Sequence, residues 1–287
     1  MILMEKMKQT IKKKIVSTDL AVLSILLLVV TIIPLLFTLG LPIPVSTNVQ
    51  AVYKKIESLP PGSYVLYGSD CAPSGWGEDY PVARAIMQHL FMRPVKIVII
   101  AFDTPAGPQL AESVVQEVNK GTKQYGTDYV NLGYFPGAEV AKAAFAKDVH
   151  RLVSQDFYGT SIDKLPIMQN LRTAKDIAYL ITVTFMFTGT EEYIRQFVTG
   201  YGVTVTQADG AGGLPTATPY IRSGQLLGGV FGFQGAAEYE LLLKSPGPAV
   251  RQTDALSLTA LLMIGFIAAG NFQYFRRKLV DRKGGVK

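Results

Sequence analysis

The sequence is poor in the residues that carry most metal and nucleophile chemistry. It holds one cysteine, Cys71, and two histidines, His89 and His150. One cysteine excludes an intrachain disulfide framework. The histidines lack metal-ligand spacing, and neither a Walker loop nor a G-x-S-x-G motif occurs. The sequence therefore predicts no metal site, no cofactor and no assigned catalytic residue.

A Cys71–His89 pair is the nearest approach to an enzyme. Nucleophilic catalysis would need His89 as a base beside the thiol. His89 lies beside the apolar face of a predicted helix, where packing is the better expectation. An enzyme, such as a hydrolase, is therefore the least favoured class of protein here.

Charge is absent from two long segments. Residues 20–45 contain none, with an apolar core from Leu20 to Leu41, and Ala255 to Phe275 is a second uncharged run. Crossing a hydrocarbon core about 30 Å thick takes roughly 20 residues at 1.5 Å each. We predict two transmembrane helices, at 20–41 and 255–275, the first kinked at Pro34.

The first segment also has the pattern of a secretory signal peptide, a basic flank followed by an apolar run. Its apolar run exceeds the roughly 7–15 residues of a signal core, and no clean A-x-A-like site follows. We expect an uncleaved anchor.

The basic charge of the chain is confined to its ends. The tail at 1–19 has net charge +3 and the tail at 276–287 has +5, while the whole chain is +6, so the middle is −2. Basic flanks of membrane spans stay cytoplasmic. We therefore expect both tails on the cytoplasmic side of the cell membrane and residues 46–253 on the other side. Because the middle is not basic, the lipid bilayer is the expected partner and nucleic acid is not.

The segment between the spans alternates strand and helix patterns. Buried strands are predicted at 63–70, 95–103, 129–135, 177–187 and 203–209. The intervening segments have helical periodicity. This pattern predicts an α/β fold, a doubly wound, mostly parallel five-stranded sheet (Rossmann-like) flanked by two transmembrane helices.

Ligands of open parallel sheets bind beyond the carboxyl ends of the strands. The residues expected there, or in the unusually long first βα connection, are the ligand-binding candidates Asp70, Cys71, Trp76, Asp103, Thr188 and Asp209. The alternative is structural, with Asp70 and Asp103 tying loops and Trp76 packing its loop down. The glycines of Asp209–Gly213 suggest a phosphate loop, but the following LPTATP is not expected to begin a helix.

Small residues recur every four positions in two places. On a helix, Gly224, Gly228, Gly232 and Ala236 (within residues 220–244) would form a smooth stripe for close packing, and Gly265 with Ala269 would do so in the second span. These six are the interface candidates. The alternative for the first set is a glycine-rich loop before a helix at Ala236 to Lys244.

Two classes of function follow. The favoured one is a membrane-anchored structural or assembly protein that displays its α/β domain and oligomerises with itself or with a partner membrane protein. The alternative is an extracytoplasmic domain that binds a small ligand, as a sensor or a transporter accessory. Fold alone does not decide between them.

Overall fold

The computed structural model describes residues 21–184 and 189–284. Its helices are α1 (Ala21–Leu36), α2 (Thr47–Glu57), α3 (Trp76–Met92), α4 (Gly107–Val118), α5 (Ala138–Lys147), α6 (Val149–Leu152), α7 (Thr190–Tyr193), α8 (Leu214–Arg222), α9 (Gly232–Leu242) and α10 (Pro248–Gly284). A π-helical stretch, Ile194–Thr199, extends α7. The strands are β1 (Tyr64–Asp70), β2 (Lys96–Ala101), β3 (Tyr129–Tyr134), β4 (Ile177–Thr184), β5 (Val205–Asp209) and β6 (Gly229–Phe231). Residues 42–250 form one compact unit, and the described residues 21–41 with 251–284 form the other.

The six strands form one parallel sheet in the order β3-β2-β1-β4-β5-β6. The expected α/β fold with a parallel sheet is confirmed, but the count of five strands was wrong. The sixth strand, Gly229–Phe231, has three residues, too few for an alternating pattern, and forms because it pairs with β5.

Helices cover both faces of the sheet, as double winding requires. On one face the core contains Val52 of α2, Ile86 of α3 and Tyr239 of α9. On the other it contains Phe145 of α5 and Phe197 of the π-helical stretch. The central strands β1 and β4 are buried on both faces, which explains their nearly continuous apolar sequences.

The predicted helical stripe between residues 224 and 236 was wrong. Gly224 has φ +77° in the turn after α8, and Gly228 lies directly before β6. Gly232 has φ +59°, where it begins α9, and Ala236 is buried within that helix. Two left-handed residues and a strand separate the four positions, so they share no helix face. The alternative was also incomplete, because α9 begins four residues before Ala236.

The segment LPTATP does begin a helix, contrary to expectation. It follows the glycine-rich turn after β5 and forms the start of α8. Pro215 lies in the first turn, where its missing N–H would have had no helical partner. Proline in this position starts the helix rather than breaking it.

One helix in the described part of the chain is long and apolar enough to cross a membrane, at Pro248–Arg276. It contains the predicted span 255–275. The prediction of a second qualifying span at 20–41 was wrong, because α1, described from Ala21, ends at Leu36. Residues 37–46 are not helical, and Gly40 has φ +70°.

A carboxylate binds the chain just after α1 has ended. Asp254 of α10 is buried and accepts hydrogen bonds from three successive backbone amides, those of Leu39, Gly40 and Leu41, at 2.9, 3.0 and 3.1 Å. Helical amides bond backward along their own helix, so these three are free to bond Asp254 because the helix has ended.

Candidate functional site

The strand order places a switch point between β1 and β4, where connections leave toward opposite edges of the sheet. In open α/β sheets this crevice, at the carboxyl ends of the strands, is the usual ligand site. Asp70 and Asp209 end β1 and β5, and Asp103 follows β2. These three sequence candidates do lie at the carboxyl edge. Thr188 lies outside the described residues.

Asp70 ties two strands and a helix together. Its Oδ1 accepts hydrogen bonds from the amides of Phe102 and Asp103, both at 2.8 Å, and its Oδ2 accepts one from the Tyr193 hydroxyl at 3.0 Å. Burial raises the pKa of Asp70, with the Asp103 charge adding to it, while the two amides act in the opposite direction. These bonds tie the loop after β2 and the helix α7 to the end of β1, and ligand binding by Asp70 stays a prediction.

Asp103 is paired with a lysine that the sequence did not single out. The Lys142 ammonium is fully buried and lies 2.5 Å from Asp103 Oδ2 and 2.6 Å from Glu192 Oε2. It also lies 4.7 Å from the centroid of the Tyr193 ring. The position of Lys142 beside Ala141, on the inward side of α5, was the available sequence signal. This group is a buried ion network that fixes α5 and α7 against the sheet edge.

Cys71 is buried, and its thiol lies 3.5 Å from the Val183 carbonyl oxygen. Burial and the nearby carboxylates of Asp79 and Asp70 raise its pKa well above the usual value, so it is held as a thiol. His89 bonds elsewhere, to the Tyr239 hydroxyl and to Glu57, both at 2.8 Å. The geometry gives Cys71 no activating base from His89.

The predicted loop between Asp70 and Pro81 is shorter than expected because α3 begins at Trp76. Trp76 is half-buried and packs edge-to-face on Tyr80, with ring centroids 5.8 Å apart. Glu78 accepts a hydrogen bond from the Ala211 amide at 2.7 Å. The start of α3 is thereby joined to the turn that follows β5.

The same turn of α3 places Asp79 near Asp209. Both residues are buried. Asp209 Oδ2 accepts hydrogen bonds from the Thr184 hydroxyl at 3.2 Å and the Gln207 amide at 3.0 Å. Neither carboxyl oxygen of Asp79 has a hydrogen-bond partner in the described part of the chain. Burial, and then the charge of Asp209, raise the pKa of Asp79 to about 8.

A cavity of about 280 Å³ lies at the carboxyl end of β6. Three helices begin at its wall, namely α2, α8 and α9. None of the residues lining it was a ligand candidate from the sequence; Gly232 was there as an interface candidate. The lining residues are Ser46, Asn48, Val49, Ala211, Leu214, Gly229, Phe231, Gly232, Phe233, Gln234, Gly235 and Glu238.

The wall of this cavity is mainly apolar, with a few fixed polar groups. Glu238 accepts hydrogen bonds from the Ser46 amide at 2.9 Å and the Ser46 hydroxyl at 2.6 Å. Helices α8 and α9 begin without a side-chain cap and without an acidic residue in their first turns. Their dipoles therefore contribute positive potential that no acid in those turns offsets.

A second cavity, of about 410 Å³, lies on the outer side of α5 and α6. It is bordered by Lys147, Asp148, Arg151, Ala144 and Leu152, and all but the last are exposed. It is a surface groove away from the carboxyl ends of the strands. Among the residues described, no group of three or more His, Cys, Asp or Glu side chains is arranged to hold a metal ion.

No protein-family model matches the chain, and no curated protein matches it. Among solved structures, "OtsA apo structure" is similar over 75% of this chain and 45% of its own, with 11% identity and a TM-score of 0.33. "Trehalose-6-phosphate synthase. OtsA" is similar over 85% and 51%, with 11% identity and a TM-score of 0.27. This chain thus spans about half the length of either structure. Scores this low carry no inference about function.

Proposed function

We propose that this protein is a membrane-anchored receptor domain, which binds a small ligand outside the cytoplasmic membrane as a sensor or a transporter accessory. The observation that carries the proposal is the 280 Å³ cavity at the carboxyl end of β6. Ligands of open parallel sheets bind at this edge. The apolar helix Pro248–Arg276 and the basic tail after it support the membrane location and the orientation.

The cavity limits the size and the chemistry of the ligand. Typical sites for drug-sized molecules range from roughly 300 to 1,000 Å³, so this one suits a smaller molecule. Phe231, Leu214 and Val49 offer apolar contact, while Asn48 and Gln234 offer amide groups. We propose a small organic ligand with an apolar body and one polar end.

Two substitutions on adjacent residues of α2 test the cavity. Asn48 lines it, whereas Thr47 is exposed beside it, and neither side chain forms a hydrogen bond with another described residue. A tryptophan at position 48 would fill the space and one at position 47 would not. Thermal-shift screening of the detergent-solubilised full chain against a metabolite library should give a hit that Asn48→Trp abolishes and Thr47→Trp retains. Hits unaffected by Asn48→Trp, or a flat response across the library, would reject this function.

A second candidate is the assembly function, in which the protein oligomerises with itself or a partner membrane protein. It is favoured by α10, on which Gly265 and Ala269 are exposed four residues apart. Small residues at this spacing allow another helix to approach closely. Mass photometry in detergent should show an oligomer that Gly265→Leu dissociates. The matched change Ala260→Leu, on another side of the helix, should leave it intact, and a monomeric wild type would exclude the idea.

A further inference from the structure

The start of α3 carries a carboxylic acid that the ligand cavity does not explain. Asp79 is fully buried, and neither carboxyl oxygen has a hydrogen-bond partner within residues 21–184 and 189–284. Buried polar atoms in native proteins are nearly always paired, and a buried unpaired carboxylate is especially unfavourable. A group in this position needs either a counter-ion or a proton.

The surroundings provide negative charge instead of a counter-ion. The titratable groups that interact with Asp79 come from β1, from the chain just after it, from α3 itself and from β5; they are Tyr67, Cys71, Glu78 and Asp209. Each is acidic or neutral. The backbone amide of Gly210 favours the ionised form, although its geometry with the Asp79 carboxyl is not that of a hydrogen bond, and so does the position of Asp79 in the first turn of α3.

The cation further along α3 is already engaged. Arg84 lies 2.5 Å from Glu117 and 4.0 Å from the buried Glu240. Lys142, at the same sheet edge, is held between Asp103 and Glu192. A proton is therefore the simplest means of neutralising Asp79.

We propose that Asp79 and Asp209 form a proton-binding site, in which Asp79 holds the proton at neutral pH and releases it to solvent in mildly alkaline solution. The two acids come from different elements, the first turn of α3 and the end of β5. Proton release would leave two negative charges in one buried region, since the charge of Asp209 acts on Asp79. Like charges in such surroundings repel strongly.

This repulsion acts where the Glu78 side chain closely contacts the backbone of residues 210–211. Glu78 holds the Ala211 amide at 2.7 Å, and a Cβ at Gly210 would lie 2.8 Å from the Glu78 carboxyl carbon. Ionisation of Asp79 should therefore move the start of α3 away from the turn at 210–213. Ala211 and Leu214 line the cavity, so deprotonation should also weaken ligand binding, a step that rests on the proposed function.

The protein contains its own reporter for the test. Trp76 is the single tryptophan of the chain and lies three residues before Asp79 on the same helix. In the detergent-solubilised full chain without ligand, its emission should titrate with a midpoint near pH 8. Asp79→Asn should abolish this transition, and Asp209→Asn should shift its midpoint to lower pH by about one unit or more. Asp163→Asn, at a side chain that is 83% exposed, should change nothing.

A wild-type emission that is flat near pH 8, or a midpoint unmoved by Asp209→Asn, would overturn the proposal. If Asp79→Asn does not fold, the melting temperatures of the wild type and of Asp209→Asn still decide, because the raised pKa of Asp79 makes its contribution to stability fall as pH rises from about 4 toward about 8, and this fall should be smaller without the Asp209 charge. Binding measured on either side of the transition tests the cavity link separately. If the emission titrates as expected but no library compound binds, the proton-binding site is supported and the proposed function is rejected.

Discussion

The Tyr193 hydroxyl donates a hydrogen bond of 3.0 Å to Oδ2 of Asp70, and both residues are buried. A Cβ placed on Gly68 would lie 2.5 Å from that hydroxyl oxygen. The tyrosine therefore depends on a glycine in β1 for its place at the sheet edge. Through this bond the helix after β4 is joined to the last residue of β1.

Tyr193→Phe should lower the free energy of unfolding by about 1–3 kcal/mol, because it leaves a buried carboxylate with one bond fewer. Tyr179→Phe is the matched control, since that buried hydroxyl bonds the neutral Thr206 hydroxyl at 2.5 Å. Denaturant unfolding of both variants measures the difference. An equal loss in the two would contradict a special role for the Asp70 bond.

Lys142→Met should be among the most destabilising single changes in the domain. It removes the fully buried ammonium and leaves Asp103 and Glu192 without their shared partner. Breaking a buried ion pair in this way costs about 3–5 kcal/mol. Arg195→Met breaks an exposed pair with Glu139 and should cost much less, as thermal unfolding would show. A comparable loss in both would mean that the Lys142 network contributes little.

The pH dependence on the acid side should be set in part by His89. Burial lowers its pKa, although the bond to Glu57 opposes this, so the folded state disfavours the charged ring. Below the unfolded value of about 6.5 the unfolded chain binds the extra proton, so the stability that His89 contributes falls as pH decreases. Relative to the wild type, the melting temperature of His89→Gln should therefore rise as pH decreases from about 7 to about 5. A difference that stays constant over this range would contradict the prediction, and His150→Gln is the comparison at a half-buried ring.

Asp254→Ala should separate the segment after α1 from α10, since it leaves three backbone amides unpaired. Each charge-assisted bond is worth about 1.5–3 kcal/mol in soluble proteins. Asp254→Asn keeps one acceptor oxygen and should be affected less. Disulfide formation between cysteines introduced at Thr31 and Thr259, whose hydroxyls lie 3.3 Å apart, should fall in the alanine variant. Undiminished cross-linking would show that Asp254 does not hold the two helices.

The buried Cys71 makes the proposed topology measurable by thiol labelling. Its side chain is inaccessible, so the background with a membrane-impermeant maleimide should be low. A cysteine replacing the exposed Thr122 should be labelled in intact spheroplasts. One replacing Lys287 in the basic tail should be labelled only after lysis. Labelling in the reverse order would show that the orientation is opposite to the proposed one.

Some elements of the fold could be predicted from local sequence and others could not. The long buried strands β1, β2 and β4 were predicted within a few residues, because buried parallel strands carry continuous apolar runs. β6 was not, because three residues paired to β5 have no pattern of their own. The start of α8 was missed, although Pro215 lies in its first turn, where proline favours a helix start.

The candidate site shows the same division. Asp70, Asp103 and Asp209 could be placed at one sheet edge from their positions after apolar runs. Their partners could not, because Lys142 and Tyr193 come from distant parts of the chain. Nor could the cavity, whose walls come from the starts of three helices.

The sequence by itself determined the uncharged segments, the basic tails and the α/β alternation, because hydrophobicity and charge are local properties of the chain. Tertiary structure alone decided that Asp254 binds the amides of residues 39–41 after α1 has ended at Leu36, and that the sheet has a sixth strand. It alone also set Asp79 against Asp209. Each of these depends on which distant groups meet in three dimensions, and residue spacing along the chain does not record that.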